Sequence, residues 1–228
     1  MNMRSLRRLG VLASTPLVVA CATSVESGIP LDDPAAIAAR LVSEPGVEAP
    51  ANLRFAWRYG DRRGDVEGEG VGRFNPPDSL RIDLFTSGDV AMAIASAAGR
   101  LTSRGQIEDV DVPPRPFIFA MAGMFRPDSG PAPRAFVNGA DSVLVYGPVG
   151  DRTFVYHLEG GRLGSVEERR RDRVLRRVRV EWSETGTWPV QAEYRDFERP
   201  SRVRWEIEEV QSPVARHPGE IYALPYTQ

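Results

Sequence analysis

Between Asn52 and Tyr59 the chain alternates. Leu53, Phe55, Trp57 and Tyr59 recur at every second position, and Arg54 and Arg58 fall between them. Successive side chains of an extended strand point to opposite faces, so this spacing gathers the apolar set on one side. The period returns near the C-terminus. Val203, Trp205 and Ile207 alternate with Arg204, Glu206 and Glu208; Val178, Val180 and Trp182 alternate with Arg177, Arg179 and Glu181. Trp188, Val190, Ala192 and Tyr194 form a further set. One packed face and one wet face is the pattern of antiparallel sheet.

The rest of the chain supplies the turns. Gly60–Asp65, Asn75–Ser79 and Thr86–Asp89 punctuate short apolar runs at hairpin spacing, and the meander resumes after residue 134. The segment Val66-Glu-Gly-Glu-Gly-Val-Gly72 is a strand whose missing side chains favour bending and close approach. About ten or eleven strands follow from this reading, and an antiparallel sheet that wide curls. Two segments break the period. Asp33 caps and Pro34 opens a short helix with Ile37, Ala38 and Leu41 on one face. Phe117 to Phe125 is flanked by prolines and apolar nearly all round, which predicts a short helix enclosed by other structure. The fold class is therefore mainly β, an α+β arrangement in which a curved antiparallel half-barrel carries short helices on its concave side.

The N-terminus reads differently. Arg4, Arg7 and Arg8 precede a short apolar run that ends in small residues. That run is too short to span a bilayer as a helix, and it has the layout of a secretory leader. The chain has 228 residues and one cysteine, Cys21, directly after the run. Val18-Val19-Ala20-Cys21 resembles the lipobox of bacterial lipoproteins. The resemblance implies cleavage before Cys21, a diacylglycerol on its thiol and an acyl chain on its new amino group. Two or more chains anchor a protein stably where one does so only marginally. The expected organisation is a leader over residues 1–20, a lipidated N-terminus and tether over 21–31, and one domain over 32–228. Ala22, where related lipoproteins carry an Asp for inner-membrane retention, implies the periplasmic face of the outer membrane. The lipoprotein-processing enzymes are then partners.

The order of elements resembles the LolA/LolB-like lipoprotein carriers of the cell envelope. The resemblance rests on Leu53–Tyr59 opening the sheet, the Gly-rich Gly68–Phe74, the turn into Leu80–Phe85, the proline-bounded apolar segment in mid-chain, and the closing strands through Val210. It implies a curved sheet closed by helices over an apolar cavity for acyl chains of lipid or lipoprotein. Phe55, Trp57, Leu84, Met92, Ile118, Phe119, Met121, Met124 and Phe125 are the candidate lining. Methionine suits a pocket for varied chains because it is flexible. The alternative is that these residues fill a core, and the protein is a structural or interaction lipoprotein without a ligand.

No enzyme is expected. His157 and His217 are the only histidines, and neither belongs to a metal-ligand motif such as His-Glu-x-x-His. His157 has the parity of the wet face, and no nucleophile elbow occurs. No cofactor or metal is expected beyond the lipid on Cys21. Removing a leader with three arginines and no acid takes the formal charge from −2 to −5, so no basic excess invites nucleic acid.

Overall fold

The computed structural model describes residues 28–43, 50–75, 78–87, 89–97, 99–105, 111–128, 130–184 and 186–224. Cys21, the leader and most of the tether lie outside the described residues. The strands are β1 (Ile29–Pro30), β2 (Ala51–Asp61), β3 (Gly64–Asn75), β4 (Ser79–Thr86), β5 (Asp89–Ala97), β6 (Arg100–Gly105), β7 (Arg134–Asn138), β8 (Asp141–Val149), β9 (Arg152–Glu159), β10 (Arg162–Arg170), β11 (Arg173–Trp182), β12 (Pro189–Asp196) and β13 (Ser201–Gln211). They form one sheet in the order β1-β7-β8-β9-β10-β11-β12-β13-β2-β3-β4-β5-β6, every pair antiparallel. The chain starts and breaks off the meander at the two edges, and β13 returns to lie beside β2.

Thirteen strands exceed the ten or eleven expected. β1 was not legible, because two residues at the end of the tether have no period of their own. They acquire strand geometry by pairing with β7, Ile29 opposite Val137 and Pro30 opposite Phe136. The folded body thus begins within the segment read as tether.

Alternation holds across the sheet. Leu53, Phe55, Trp57 and Tyr59 of β2 and Val203 and Trp205 of β13 are buried on the concave face. Helix α1 (Pro34–Ser43) is opened as expected: Asp33 Oδ1 accepts the Ala36 N–H at 2.9 Å, and Ala38 joins the core. Helix α2 (Arg115–Met121) lies across β10, β11 and β12 with every residue from Pro116 to Met121 buried. It ends four residues before the expected Phe125. Gly123 takes a φ of +74°, its N–H reaches the Ala120 carbonyl at 2.8 Å, and the Met124 N–H reaches the Phe119 carbonyl at 2.9 Å. This paired closure is a Schellman stop. An apolar pattern cannot reveal it, since Met124 and Phe125 stay buried as irregular chain.

The glycine-rich strand has a specific use. A Cβ on Gly70 would stand 2.4 Å from the Phe55 ring, and one on Gly72 would stand 2.5 Å from the Phe74 ring. The two rings occupy the space that side chains at Gly70 and Gly72 would need. Behind the sheet, the C-terminal tail crosses the convex side of β3 and β4 and ends in a single 3-10 turn, Gly219–Tyr222. Asn75 exchanges hydrogen bonds with His217, Arg81 Nη1 donates to the Ile221 carbonyl at 3.0 Å, and Tyr222 is buried.

Gly70→Ala therefore overpacks the concave face and is expected to cost about 1–3 kcal/mol. Val71→Ala, one residue along on the other face, is expected to cost under about 1 kcal/mol. Urea unfolding midpoints of the two variants check the contrast.

Candidate functional site

The concave face carries an apolar crevice. Its floor comes from four strands: Trp57 and Tyr59 of β2, Leu84 of β4, Met92 and Ile94 of β5, and Val203 and Trp205 of β13. Its roof is Val112 and Pro113, in the segment entering α2, with Ile118 from the helix. Sheet register assembles the floor, because Trp57 stands opposite Trp205, Tyr59 opposite Val203 and Leu84 opposite Met92. The enclosed volume is about 20 Å³. That is room for one water, whereas sites for small organic ligands run to roughly 300–1,000 Å³. As it stands the crevice has no room for a ligand of that size.

Of the candidate lining, Trp57, Leu84, Met92 and Ile118 meet at this crevice. Phe55, Phe119, Met121, Met124 and Phe125 are buried in the core and do not line it. Phe55 packs on Trp205 with ring centroids 4.8 Å apart, and Phe125 packs edge-on to Tyr156 at 4.8 Å. Tyr59, Ile94, Val203 and Trp205 were missing from the candidates, although the parity of their strands already put them on the inward face. Val112 and Pro113 carry no periodic signal.

An ion pair links the roof to the sheet. Asp111 precedes Val112, and both its carboxylate oxygens lie 3.3 Å from Arg199 Nη1 in the turn between β12 and β13. Both side chains are exposed, 50% for Asp111 and 74% for Arg199. An exposed pair contributes about 0–1 kcal/mol, so this latch is weak.

The turn that presents Arg199 is held much more firmly. Asp196 Oδ1 accepts the backbone N–H groups of Glu198 and Arg199, each at 2.8 Å. Its Oδ2 accepts from Arg176 Nε at 2.8 Å, and Arg176 Nη1 donates to Glu168 at 2.7 Å. Arg152 also donates to Glu168. Glu168 and Asp196 are buried, and this network closes one end of the concave face with its charges paired. Burial pushes the Asp196 carboxyl up, but the two N–H donors and the Arg176 guanidinium outweigh it and hold the group below its usual range.

His157 lies on the face away from Tyr156, as its parity requires, but it is half-buried there. Burial lowers the pKa of its imidazole. Among the described residues no cluster of His, Cys, Asp or Glu is placed to hold a metal ion, and no helix is long and apolar enough to cross a membrane.

An open antiparallel sheet curled around a buried apolar helix defines a class of fold, the open half-barrel. Solved structures share it. A DUF1329 family protein from Desulfovibrio piger superposes with a TM-score of 0.56 at 10% identity, over 86% of this chain and 100% of its own. A domain from Vibrio parahaemolyticus assigned to outer membrane lipoprotein sorting superposes with a TM-score of 0.51 at 12% identity, over 86% of this chain and 97% of its own. A LolA superfamily protein from Nitrosomonas europaea gives a TM-score of 0.49 at 11% identity, over 82% and 97%. No family model and no curated protein matches the sequence. The likeness is one of fold: this chain has the open half-barrel of the Desulfovibrio and Vibrio structures.

Asp196→Asn should cost about 1–3 kcal/mol at neutral pH by weakening a charged hydrogen-bond hub. Because the folded pKa of Asp196 is depressed, its stabilisation is present above about pH 4, the unfolded value, and fades as pH falls through the folded value. The gap in stability between wild type and variant is expected to narrow below pH 4. Denaturation series at pH 7 and pH 3 measure it.

Proposed function

We propose that this chain is a lipid-anchored protein of the outer membrane's periplasmic face that accepts an acyl chain of a lipid or lipoprotein between its sheet and the segment entering α2. The observation that carries the reading is the crevice itself. Its walls are apolar, its floor is sheet, and the segment entering α2 above it is joined to the sheet by an exposed ion pair, Asp111–Arg199. The lipobox-like Val18–Cys21 and the carrier-type fold support an envelope location.

The mechanism is passive. Lifting Val112, Pro113 and the N-terminal part of α2 exposes Trp57, Leu84, Met92 and Trp205. An entering chain then restores the burial at about 25 cal/mol per Å² of apolar surface. Directionality would come from the relative affinities of donor and acceptor, since nothing in this scheme consumes energy.

A second reading has its own support. The crevice holds only about 20 Å³, as a packed scaffold would. In that case the protein presents a surface to another envelope component and carries no ligand.

One set of measurements separates these readings. Protein made from Ala22 onward is extracted and examined by mass spectrometry, then titrated with a fluorescent fatty acid. The carrier reading expects bound lipid or saturable binding. It also expects Asp111→Asn to bind up to about fivefold more tightly, the most that loss of a latch worth under about 1 kcal/mol allows. Absence of lipid together with absence of binding leaves the scaffold. The anchor is checked separately by palmitate labelling, which should mark the wild-type chain and leave Cys21→Ser unmarked.

A further inference from the structure

A second cluster lies outside the crevice, where α2, the chain after it and the turn between β3 and β4 meet. Arg115 opens α2, and its side chain is 16% exposed. Arg126 follows the helix with its side chain 3% exposed. Both guanidiniums turn to the same carboxylate, Asp78, and Arg115 also faces Asp128. Arg126 Nη1 donates to the Phe125 carbonyl at 2.7 Å, and Arg115 lies over the Phe119 ring.

The distances to the two acids are long. Arg115 is 4.0 Å from Asp78 and 3.3 Å from Asp128, and Arg126 is 3.7 Å from Asp78. Pairs on a buried carboxylate close to charge-assisted lengths, as at 2.8 Å for Arg73–Asp83 and 2.8 Å for Arg176–Asp196, whereas pairs on exposed carboxylates such as Arg54–Glu208 at 3.6 Å are as long as those of this cluster. The two acids are also half in water, Asp78 at 55% and Asp128 at 52% exposure, while the guanidiniums are not.

Hydrogen-bonding capacity is left over at the same place. Arg115 Nε is buried without a partner. So is the Tyr156 hydroxyl, on a fully buried side chain packed edge-on to Phe125, the neighbour of Arg126. Each such group bears a desolvation cost that a bound acceptor would relieve.

We propose that Arg115 and Arg126 form a binding site for a phosphate-type anion, and that Asp78 and Asp128 are displaceable counter-ions holding its place. A phosphate oxygen offers the compact acceptors that two converging guanidiniums bind best. The exposed aspartates can swing into water as it enters. The site stands whether or not the crevice opens to an acyl chain. The same chemistry fits a free phosphate and a lipid phosphate head group.

The test uses the full chain in a neutral detergent, titrated calorimetrically with inorganic phosphate and, separately, with dihexanoyl phosphatidic acid. Saturable binding of at least one probe is expected. Arg115→Gln should weaken it about tenfold, the loss of one charged hydrogen bond. The double variant Asp78→Asn, Asp128→Asn should strengthen it several-fold, because the competing carboxylates are gone. A purely structural cluster predicts the reverse for the double variant, lower stability with no gain in binding. Phosphatidic acid binding at least ten times tighter than phosphate identifies a lipid head group, and equal affinities identify a free anion. Failure of wild type and the double variant to bind either probe overturns the proposal. Binding that Arg115→Gln leaves unchanged does so as well. If Arg115→Gln does not fold, the sign of the double-variant effect decides alone.

Discussion

A helix with no polar face has to be wrapped. α2 buries Pro116 through Met121 on every side, and the chain runs on through Ala122, Met124 and Phe125 without returning to water. Each large apolar side chain so enclosed contributes about 1.5–3 kcal/mol, so the segment contributes much of the core. No flat sheet can enclose it. A curled one does so, and Phe55 and Phe74 fill the space that side chains at Gly70 and Gly72 would need. Wrapping α2 from β10 round to β5 produces both the hollow side of the half-barrel and the crevice beside the helix.

The polar devices then have an order of strength. Buried Glu168, Arg176 and Asp196 form a network that fixes one end of the concave face and shapes the turn carrying Arg199. From that firm turn a single exposed pair reaches across to Asp111. Breaking that pair alone costs little, whereas freeing Ile118 with the N-terminal part of α2 costs the burial that the helix contributes to the core.

Much of the fold was legible because period two survives in this chain almost undisturbed. Leu53, Phe55, Trp57 and Tyr59 read directly as an inward row, as did Val203 and Trp205. What escaped was set by tertiary partners. β1 exists only because β7 offers it an edge. α2 stops at Met121 because Gly123 takes a left-handed turn, and a Cβ there would stand 2.6 Å from the Trp182 ring. The site was half legible. Trp57, Leu84, Met92 and Ile118 were named from their apolar character and do meet. Phe119, Met121, Met124 and Phe125 look the same in sequence and differ only in which side of the helix segment they occupy. Val112, Pro113 and Asp111 form the roof and latch from an irregular segment, where no periodicity marks a role. The arginine cluster around Asp78 needed three separate stretches of chain to be brought together.

The central claim is that the roof over the crevice opens on its own, without unfolding the sheet beneath. Native-state hydrogen exchange tests it most directly, since local opening and global unfolding differ in free energy. The amides of Phe117 to Met121 are expected to exchange through an opening well below the global stability, and slowly again when a fatty acid is added. The amides of Phe55 and Trp205 are expected to exchange only with global unfolding. If the helix amides exchange at the same free energy as those strands, and added fatty acid changes nothing, the interior is a sealed core and the account is wrong.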